Sequence, residues 1–134
     1  MAFALWWTMT ANVYDLHGVK VFECSRDGAK IRSGRDANDL IAEAYQHDPS
    51  WIVLPVERLD EDAFFELRTG VAGEIVSKFV AFRLRVAIVG DISRHTEASS
   101  SLRAFVHESN RGNQVWFVPS MEELGSRLKA RATA

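Results

Sequence analysis

The chain has 134 residues, of which 47% are hydrophobic and 25% are charged, a composition typical of one globular domain with a core of its own. The formal net charge of -2 excludes the basic excess that most nucleic-acid-binding domains carry, so we expect no nucleic-acid partner. The same low net charge excludes the strongly charged composition that is typical of disordered chains.

Residues 1–10 are predicted to form a tail or an extra strand before a single α/β domain over residues 11–134. The opening MAFALWWTMTANVY is apolar, but it lacks a basic start and is too short for a membrane span, so we expect no membrane partner. Trp6 and Trp7 leave two interpretations open. They pack over the domain's own surface, or they form a homodimer contact, because tryptophan is enriched among interface anchors.

Residues 12–47 predict a β-hairpin followed by the first helix. NVYDLHGVKVFECS alternates apolar and polar residues around a His17-Gly18 turn, as a hairpin does. Its single cysteine, Cys24, has no partner for an internal disulfide, which favours a reducing compartment and hence the cytoplasm. SGRDANDLIAEAYQH then repeats apolar residues at helical spacing, with Asp36 as the expected N-cap.

Two continuous apolar runs predict strands that are covered on both faces. WIVLPV (Trp51 to Val56) and VAIVG (Val86 to Gly90) do not alternate, which is typical of neighbouring strands in a parallel sheet. Pro55 cannot donate a hydrogen bond to a neighbouring strand, so we expect it at the end of its strand or next to an unpaired stretch.

The segment between these strands predicts the second helix. Val71, Ala72, Ile75, Val76, Phe79 and Phe82 fall on one face of it. Two positions are considered for the first residue of this helix. We favour a start near Gly70 with Thr69 as a cap, because an unbroken helix from Asp62 would carry Gly70 and Gly73 at a cost of ~1 kcal/mol each relative to alanine.

The rest of the chain predicts a helix, a strand and a last helix. SSSLRAFVHESNRG has a serine start signal and Gly112 where a left-handed C-terminal cap is expected. QVWFV is a short strand, and Ser120 with Glu123 has capping-box spacing before a helix whose inward positions are Leu124 and Leu128. The whole order predicts an α/β fold with a mostly parallel central sheet, an N-terminal β-hairpin and about four helices.

Three stretches, DANDLIAEA, FFELRTGVAGEIVSKFVAFRLRVAIVGD and HESNRGNQVWFV, resemble the bacterial family called domain of unknown function 4180. The resemblance covers roughly residues 12–128, and its most specific block runs from Phe64 to Asp91. It implies kinship without implying an activity.

The ELRTG turn resembles, more distantly, the D-S-S-G turn of the sulfate-transporter and anti-sigma-factor-antagonist (STAS) fold. There a serine just before the glycine is phosphorylated by a partner kinase. Thr69 matches that serine, whereas Leu67 and Arg68 stand at the places of the aspartate and the first serine. The resemblance implies a non-enzymatic regulatory or binding module that acts through protein contact or a small ligand.

Polar residues are expected at the carboxyl ends of the parallel strands, where ligands of α/β proteins tend to bind. The predicted rim consists of Glu57, Arg58, Asp91, Ser93, Arg94, His95 and Ser120. It is either a binding site for a small anion or a peptide, or an ordinary solvated edge. An alternative function is a small enzyme with its site at Asp91 to His95.

We predict no catalytic residue, no metal and no cofactor, because the four histidines stand in unrelated elements and no glycine-rich nucleotide motif is present. The ligand or the protein partner is unknown from the sequence. The candidate binding residues are Arg68, Thr69, Gly70, Asp91, His95, Asn110 and Arg111.

Overall fold

A computed structural model describes residues 11–133, which contain five strands and six helices in one α/β arrangement. The strands are β1 (Ala11–Leu16), β2 (Val19–Cys24), β3 (Trp51–Pro55), β4 (Arg85–Val89) and β5 (Val115–Val118). The helices are α1 (Gly34–Tyr45), α2 (Glu61–Phe65), α3 (Val71–Ala81), α4 (Ser93–Ala98), α5 (Ser100–Arg111) and α6 (Met121–Thr133). The predicted tail over residues 1–10, with Trp6 and Trp7, lies outside the described residues.

The five strands form one sheet in the order of the chain, β1-β2-β3-β4-β5. Only β1 is antiparallel to its neighbour, so the predicted mostly parallel sheet with an N-terminal hairpin is confirmed. Right-handed crossovers between consecutive parallel strands place every connecting helix on the same side of the sheet. Accordingly α1, α3 and α5 share one face, and α6, which follows the last strand, covers the other.

The register of the strands separates two hydrophobic cores. Phe22, Ile52 and Val86 stand side by side across the sheet and pack under the three connecting helices. Trp51 and Val53, which alternate with Ile52, point to the opposite face and pack with α6. Because both faces are covered, these strands need apolar residues at every position, which explains their continuous apolar runs.

The hairpin turn is formed by the two residues that the sequence indicated. His17 and Gly18 both have positive φ angles, 52° and 84°, as a two-residue hairpin turn requires. Pro55 is the last residue of β3, also as predicted. The hairpin therefore leads directly into the parallel part of the sheet through β2.

The start predicted for the first helix was wrong by three residues. Ser33 is the N-cap: its hydroxyl accepts a hydrogen bond from the Asp36 amide at 3.3 Å. Gly34 then lies so close to α3 that its amide donates to Glu74 Oε1 at 2.7 Å, and a Cβ there would clash with the Glu74 side chain. Packing between two helices thus decides where α1 begins.

Two details at helix ends also differ from the prediction. Gly112 is extended, with φ -89° and ψ -165°, because the chain turns straight into β5 and the Gly112 carbonyl accepts from Trp116 Nε1 at 2.8 Å. Phe82 lies beyond the end of α3 and is exposed instead of facing the core. Its carbonyl accepts a hydrogen bond from the Tyr45 hydroxyl at 2.6 Å.

No helix within residues 11–133 has the length and apolar character that crossing a lipid bilayer requires.

Candidate functional site

The carboxyl ends of the four parallel strands enclose a cavity of about 220 Å³ on the α6 side of the sheet. Its lining comprises Glu23, Arg26, Val53, Pro55, Glu57, Val89, Gly90, Pro119, Ser120 and Met121. A second cavity of about 210 Å³ shares Glu23, Arg26 and Pro55 and extends toward β1. We call the two together the rim groove.

Backbone geometry keeps this end of the sheet open. β3 stops at Pro55, which has no amide hydrogen to continue the pairing. Gly90, directly after β4, has φ 151°, and a Cβ there would lie 2.7 Å from a methyl group of Val56. Glycine is therefore required at this position, because it lets the chain leave β4 close to the turn that follows β3.

The charged groups of the rim groove come from two loops and one strand. Glu23 Oε1 accepts a hydrogen bond from the Tyr14 hydroxyl at 2.9 Å, and burial together with this carboxylate raises the pKa of Tyr14 to about 12. Arg26 Nε lies 3.9 Å from Glu57 Oε2, with both side chains more than half exposed. The groove thus holds two carboxylates and one guanidinium over an apolar floor.

Sequence reasoning found only part of this site. Glu57 and Ser120 of the predicted rim line the groove, but Glu23 and Arg26 were missed. They stand at the carboxyl end of β2, so the rule that identified the other rim residues would have found them. The prediction placed β2 in the N-terminal hairpin, and its rim included no residue from the carboxyl end of that strand.

Arg58 belongs to the predicted rim in sequence but points inward. It is 8% exposed, and its guanidinium donates to the carbonyls of Ala29 at 2.7 Å and Ser25 at 2.9 Å. Gly28 packs against this guanidinium so closely that a Cβ would overlap it. Arg58 therefore holds the loop between β2 and α1 in place instead of facing a ligand.

Residues Asp91 to His95 form a separate cluster at the start of α4. Asp91 Oδ1 accepts from the Ser93 amide at 2.9 Å, which lowers the pKa of the Asp91 carboxyl. His95 stacks on Phe65 with ring centroids 4.6 Å apart, and its Nε2 lies 3.2 Å from Glu61 Oε1. None of the three cavities described for the molecule is lined by this cluster.

A turn interrupts the helical path before α3, so the helix start near Gly70 that the sequence favoured is confirmed. Gly70 is left-handed, with φ 78°, and α3 begins at the next residue. The Thr69 hydroxyl accepts from the Val71 amide at 3.2 Å and lies 2.7 Å from the Ala63 carbonyl, to which it donates. Arg68 is exposed and pairs with Glu66 at 3.1 Å, which lowers the pKa of the Glu66 carboxyl.

The end of α5 contains the last two candidate binding residues. The Asn110 amide group accepts from the Phe117 amide at 2.7 Å and donates to the Phe117 carbonyl at 3.1 Å, so it pairs with the outer edge of β5. Arg111 pairs with Glu108 at 3.3 Å and stays exposed. Both hydrogen bonds of the Asn110 amide are thus made within the fold, whereas the Arg111 side chain is accessible to a partner.

Metal-binding and nucleophilic groups are sparse in the part of the chain that the structure describes. No group of three histidine, cysteine, aspartate or glutamate side chains there has the arrangement needed to hold a metal ion. Cys24 is buried, and desolvation raises the pKa of its thiol to about 12, so the thiol stays protonated and unreactive near neutral pH.

Fold and groove together define an α/β protein with a small, mixed-charge groove at the carboxyl end of its sheet. The chain belongs to the DUF4180 family, whose description is a domain of unknown function and whose model matches residues 16–128. Neither a search of curated proteins nor a search of solved structures found a match.

Proposed function

We propose that the protein is a non-enzymatic, STAS-like binding module that takes a small ligand in the rim groove. The observation that carries the proposal is the pair of carboxylates, Glu23 and Glu57, which face one cavity with only Arg26 to balance them. Within the described part of the chain, Arg26 lies beside Glu57, and Glu23 has no cationic partner. The groove therefore has one carboxylate whose charge a ligand can neutralise.

This charge pattern favours an amine over an anion. A ligand ammonium group placed at Glu23 makes a charge-assisted hydrogen bond, which is stronger than a bond between neutral groups. The Tyr14 hydroxyl already orients the Glu23 carboxylate by a hydrogen bond of 2.9 Å to its Oε1, so little side-chain entropy is lost on binding. The ligand class is accordingly a small molecule with an amino or guanidino group.

The floor of the groove indicates the rest of the ligand. Val53, Val89 and Met121 present apolar surface, and Pro55 and Pro119 form rigid walls. Apolar area removed from water stabilises a complex by roughly 25 cal/mol per Å² before the cost of association. A cavity of about 220 Å³ is smaller than most pockets for drug-sized molecules, so we expect a short aliphatic body.

The groove favours binding over catalysis because its groups are already engaged or unreactive. The Ser120 hydroxyl accepts from the Glu123 amide at 3.2 Å as the cap of α6, so its oxygen is engaged at the start of that helix. Cys24 borders the second cavity as a protonated thiol. The alternative of an enzyme at Asp91 to His95 has less support, since no described cavity opens on those residues.

Titration calorimetry with 1,4-diaminobutane, agmatine and butylamine tests the proposal. We expect saturable binding by the wild type and at least about tenfold weaker binding by Glu23→Gln, because a charge-assisted bond contributes ~1.5–3 kcal/mol. The matched control is Glu97→Gln, an exposed carboxylate on α4, which should bind as the wild type does. Absence of saturable binding by every amine, or equal binding by Glu23→Gln, contradicts the proposal.

A second proposal concerns regulation at the turn before α3. Thr69 is exposed beside Arg68, whose side chain is 89% exposed, so a kinase and a partner can both reach the turn. Phosphorylation would remove the bond that Thr69 donates to Ala63 and add ~1.5–2 negative charges beside Arg68. The altered turn would then change contact with a protein partner.

Phosphosite mapping by mass spectrometry tests this second proposal. The protein is incubated with lysate from its host and ATP, and the peptide that contains Thr69 is quantified. Phosphorylation at Thr69 that is lost in Thr69→Val supports the regulatory role. An unmodified Thr69 peptide, under conditions that label a control protein, contradicts it.

A further inference from the structure

A third cavity, of about 230 Å³, lies at the amino ends of the parallel strands, at the opposite end of α6 from the rim groove. Its lining comprises Gly18, Val19, Ser50, Trp51, Arg85, Leu128 and Arg131. The hairpin turn, the starts of β3 and β4 and the last turns of α6 thus meet there. We call it the amino-end cavity.

The charged side chains that line this cavity are all positive. Arg85 and Arg131 line it, and its lining includes no carboxylate. Among the residues that the structure describes, neither arginine forms an ion pair: Arg85 Nε donates to the Asn113 carbonyl at 3.0 Å, and Arg131 lies 5.6 Å from the centroid of the Trp116 ring. These contacts orient the two guanidinium groups without neutralising them.

A third guanidinium adds to the positive potential. Arg127 lies 3.8 Å above the same Trp116 ring and donates to the Asn110 carbonyl at 2.7 Å. Desolvation, together with the nearby charge of Arg131, lowers the pKa of Arg127, while the Glu123 carboxylate acts in the opposite direction. Arg127 and Arg131 therefore carry like charges near one indole ring, and an anion bound at Arg131, which lines the cavity, reduces their repulsion.

We propose that the amino-end cavity binds a small oxyanion with two negative charges, either free phosphate or the phosphate of a phosphomonoester. Guanidinium groups present planar forks of donors that match two oxygens of a phosphate. Two arginines balance a dianion, whereas a single carboxylate would leave one of them unneutralised. Ser50 brings a hydroxyl to the same lining.

This site is independent of the proposed amine site. The rim groove carries excess negative charge at the start of α6, and the amino-end cavity carries positive charge at its end. The two proposed ligands therefore carry charges of opposite sign and bind at opposite ends of the strands. Neither proposal depends on the other.

Titration at constant ionic strength tests the oxyanion site, with inorganic phosphate, phenyl phosphate, sulfate and acetate as probes and with thermal unfolding and calorimetry as readouts. We expect a saturable response to phosphate and sulfate and a much weaker response to acetate. Arg85→Gln and Arg131→Gln should each weaken phosphate binding by at least about tenfold, because each removes a charge-assisted contact. Arg35→Gln, an exposed arginine on α1, is the matched control and should bind as the wild type does.

The outcomes separate the possible sources of the ligand. Binding of inorganic phosphate alone identifies free phosphate, and equal or tighter binding of phenyl phosphate identifies a phosphomonoester. No saturable response, an equal response to acetate, or unchanged affinity in both Arg85→Gln and Arg131→Gln overturns the proposal. Glu23→Gln should leave phosphate binding unchanged, so failure at one site is distinguished from failure at the other.

Discussion

The two faces of the sheet are covered differently. Three connecting helices lie on one face, and the core under them is made of aliphatic and phenylalanine side chains, such as Ile52, Phe64 and Phe79. The other face is packed by α6, and there Trp51 stacks near Trp116 with ring centroids 4.3 Å apart. Polar and charged groups reach this second face, as the Tyr14 to Glu23 bond and the Arg127 side chain over the Trp116 ring show.

The difference follows from the order of the strands. Consecutive parallel strands with right-handed crossovers send all connecting helices to one side, so the other side depends on a helix after the last strand. One helix is roughly 10–12 Å wide, whereas five strands spaced about 4.8 Å apart span about 19 Å. One helix therefore leaves part of the second face uncovered, and both proposed binding sites lie on that face.

The largest predicted loss of stability is on the face of the sheet that the three connecting helices cover. Phe79→Ala should lower the free energy of unfolding by about 3–5 kcal/mol, because Phe79, on α3, is fully buried in the core between the connecting helices and the sheet, and its removal leaves a cavity. Urea denaturation measures the change. Leu128→Ala, beside the amino-end cavity, should cost less, about 2–3 kcal/mol, because the open end lets neighbours and water fill the space.

Phe82→Ala provides the control for this comparison. Phe82 is 43% exposed and lies past the end of α3, so its truncation should cost less than about 1 kcal/mol. Equal losses for Phe79→Ala and Leu128→Ala would show that the two faces contribute alike to stability, which contradicts the comparison.

The next effect concerns the loop that borders the rim groove. Arg58→Met should lower stability by about 2–3 kcal/mol, because the carbonyls of Ser25 and Ala29 lose their charged donor and the loop between β2 and α1 is no longer held in place. Thermal unfolding and limited proteolysis over residues 25–30 measure the loss. Arg26→Met, an exposed arginine of the same loop, should stay within about 0.5 kcal/mol of the wild type. Equal destabilisation by the two variants would assign Arg58 no special role.

A smaller effect is expected at the free edge of β5. Asn110→Ala removes two hydrogen bonds to the Phe117 backbone and should cost about 1–2 kcal/mol. It also exposes strand-edge groups that a second molecule can pair with, so light scattering should detect self-association at high concentration.

Arg111→Ala is the matched variant on the same helix end. Its exposed pair with Glu108 contributes little, so the melting temperature should hardly change. If Arg111 contacts a partner, this variant weakens partner binding at unchanged stability. A joint loss of binding and stability would mark Arg111 as structural.

The smallest expected effect is a dependence of the unfolding free energy on pH, which arises from Tyr14 on the second face of the sheet. Burial raises the pKa of Tyr14 from 10.0 to about 12, so the folded state holds the phenol proton more tightly than the unfolded state does. The resulting stabilisation is complete below pH 10 and is lost as pH rises toward 12.

Comparison with Tyr14→Phe isolates this contribution. The buried Cys24 thiol also has a raised pKa and weakens the fold at high pH, but it does so equally in both proteins. Unfolding free energies measured from pH 8 to pH 11 should therefore fall less steeply for Tyr14→Phe. Parallel curves would contradict the assigned role of the Tyr14 to Glu23 bond.

The strands and most of the helices could be predicted because their signals are local. A buried strand between two layers needs apolar residues at every position, and WIVLPV and VAIVG show this directly. The start of α1 could not be read in the same way, since Ser33 and Asp36 are both good capping residues. Contact of Gly34 with Glu74, far along the chain, decides between them.

The candidate site was predicted less completely than the fold. Glu57 and Arg58 are adjacent in the sequence, yet the helical turn after β3 directs one to the groove and the other into the protein. Asn110 looked like a binding residue because it is polar and ends a helix. Its amide is bonded to the Phe117 backbone of β5, a pairing that depends on how α5 packs beside the sheet.

The sequence by itself determined the order of the elements, the hairpin turn at His17 and Gly18, and the strands that are buried on both faces, because each depends on neighbouring residues and their periodicity. Only the tertiary structure decided which charges meet. Glu23 with Glu57 and Arg85 with Arg131 come from distant segments, and their fields combine only after the parallel strands and α6 have brought them to the same cavity.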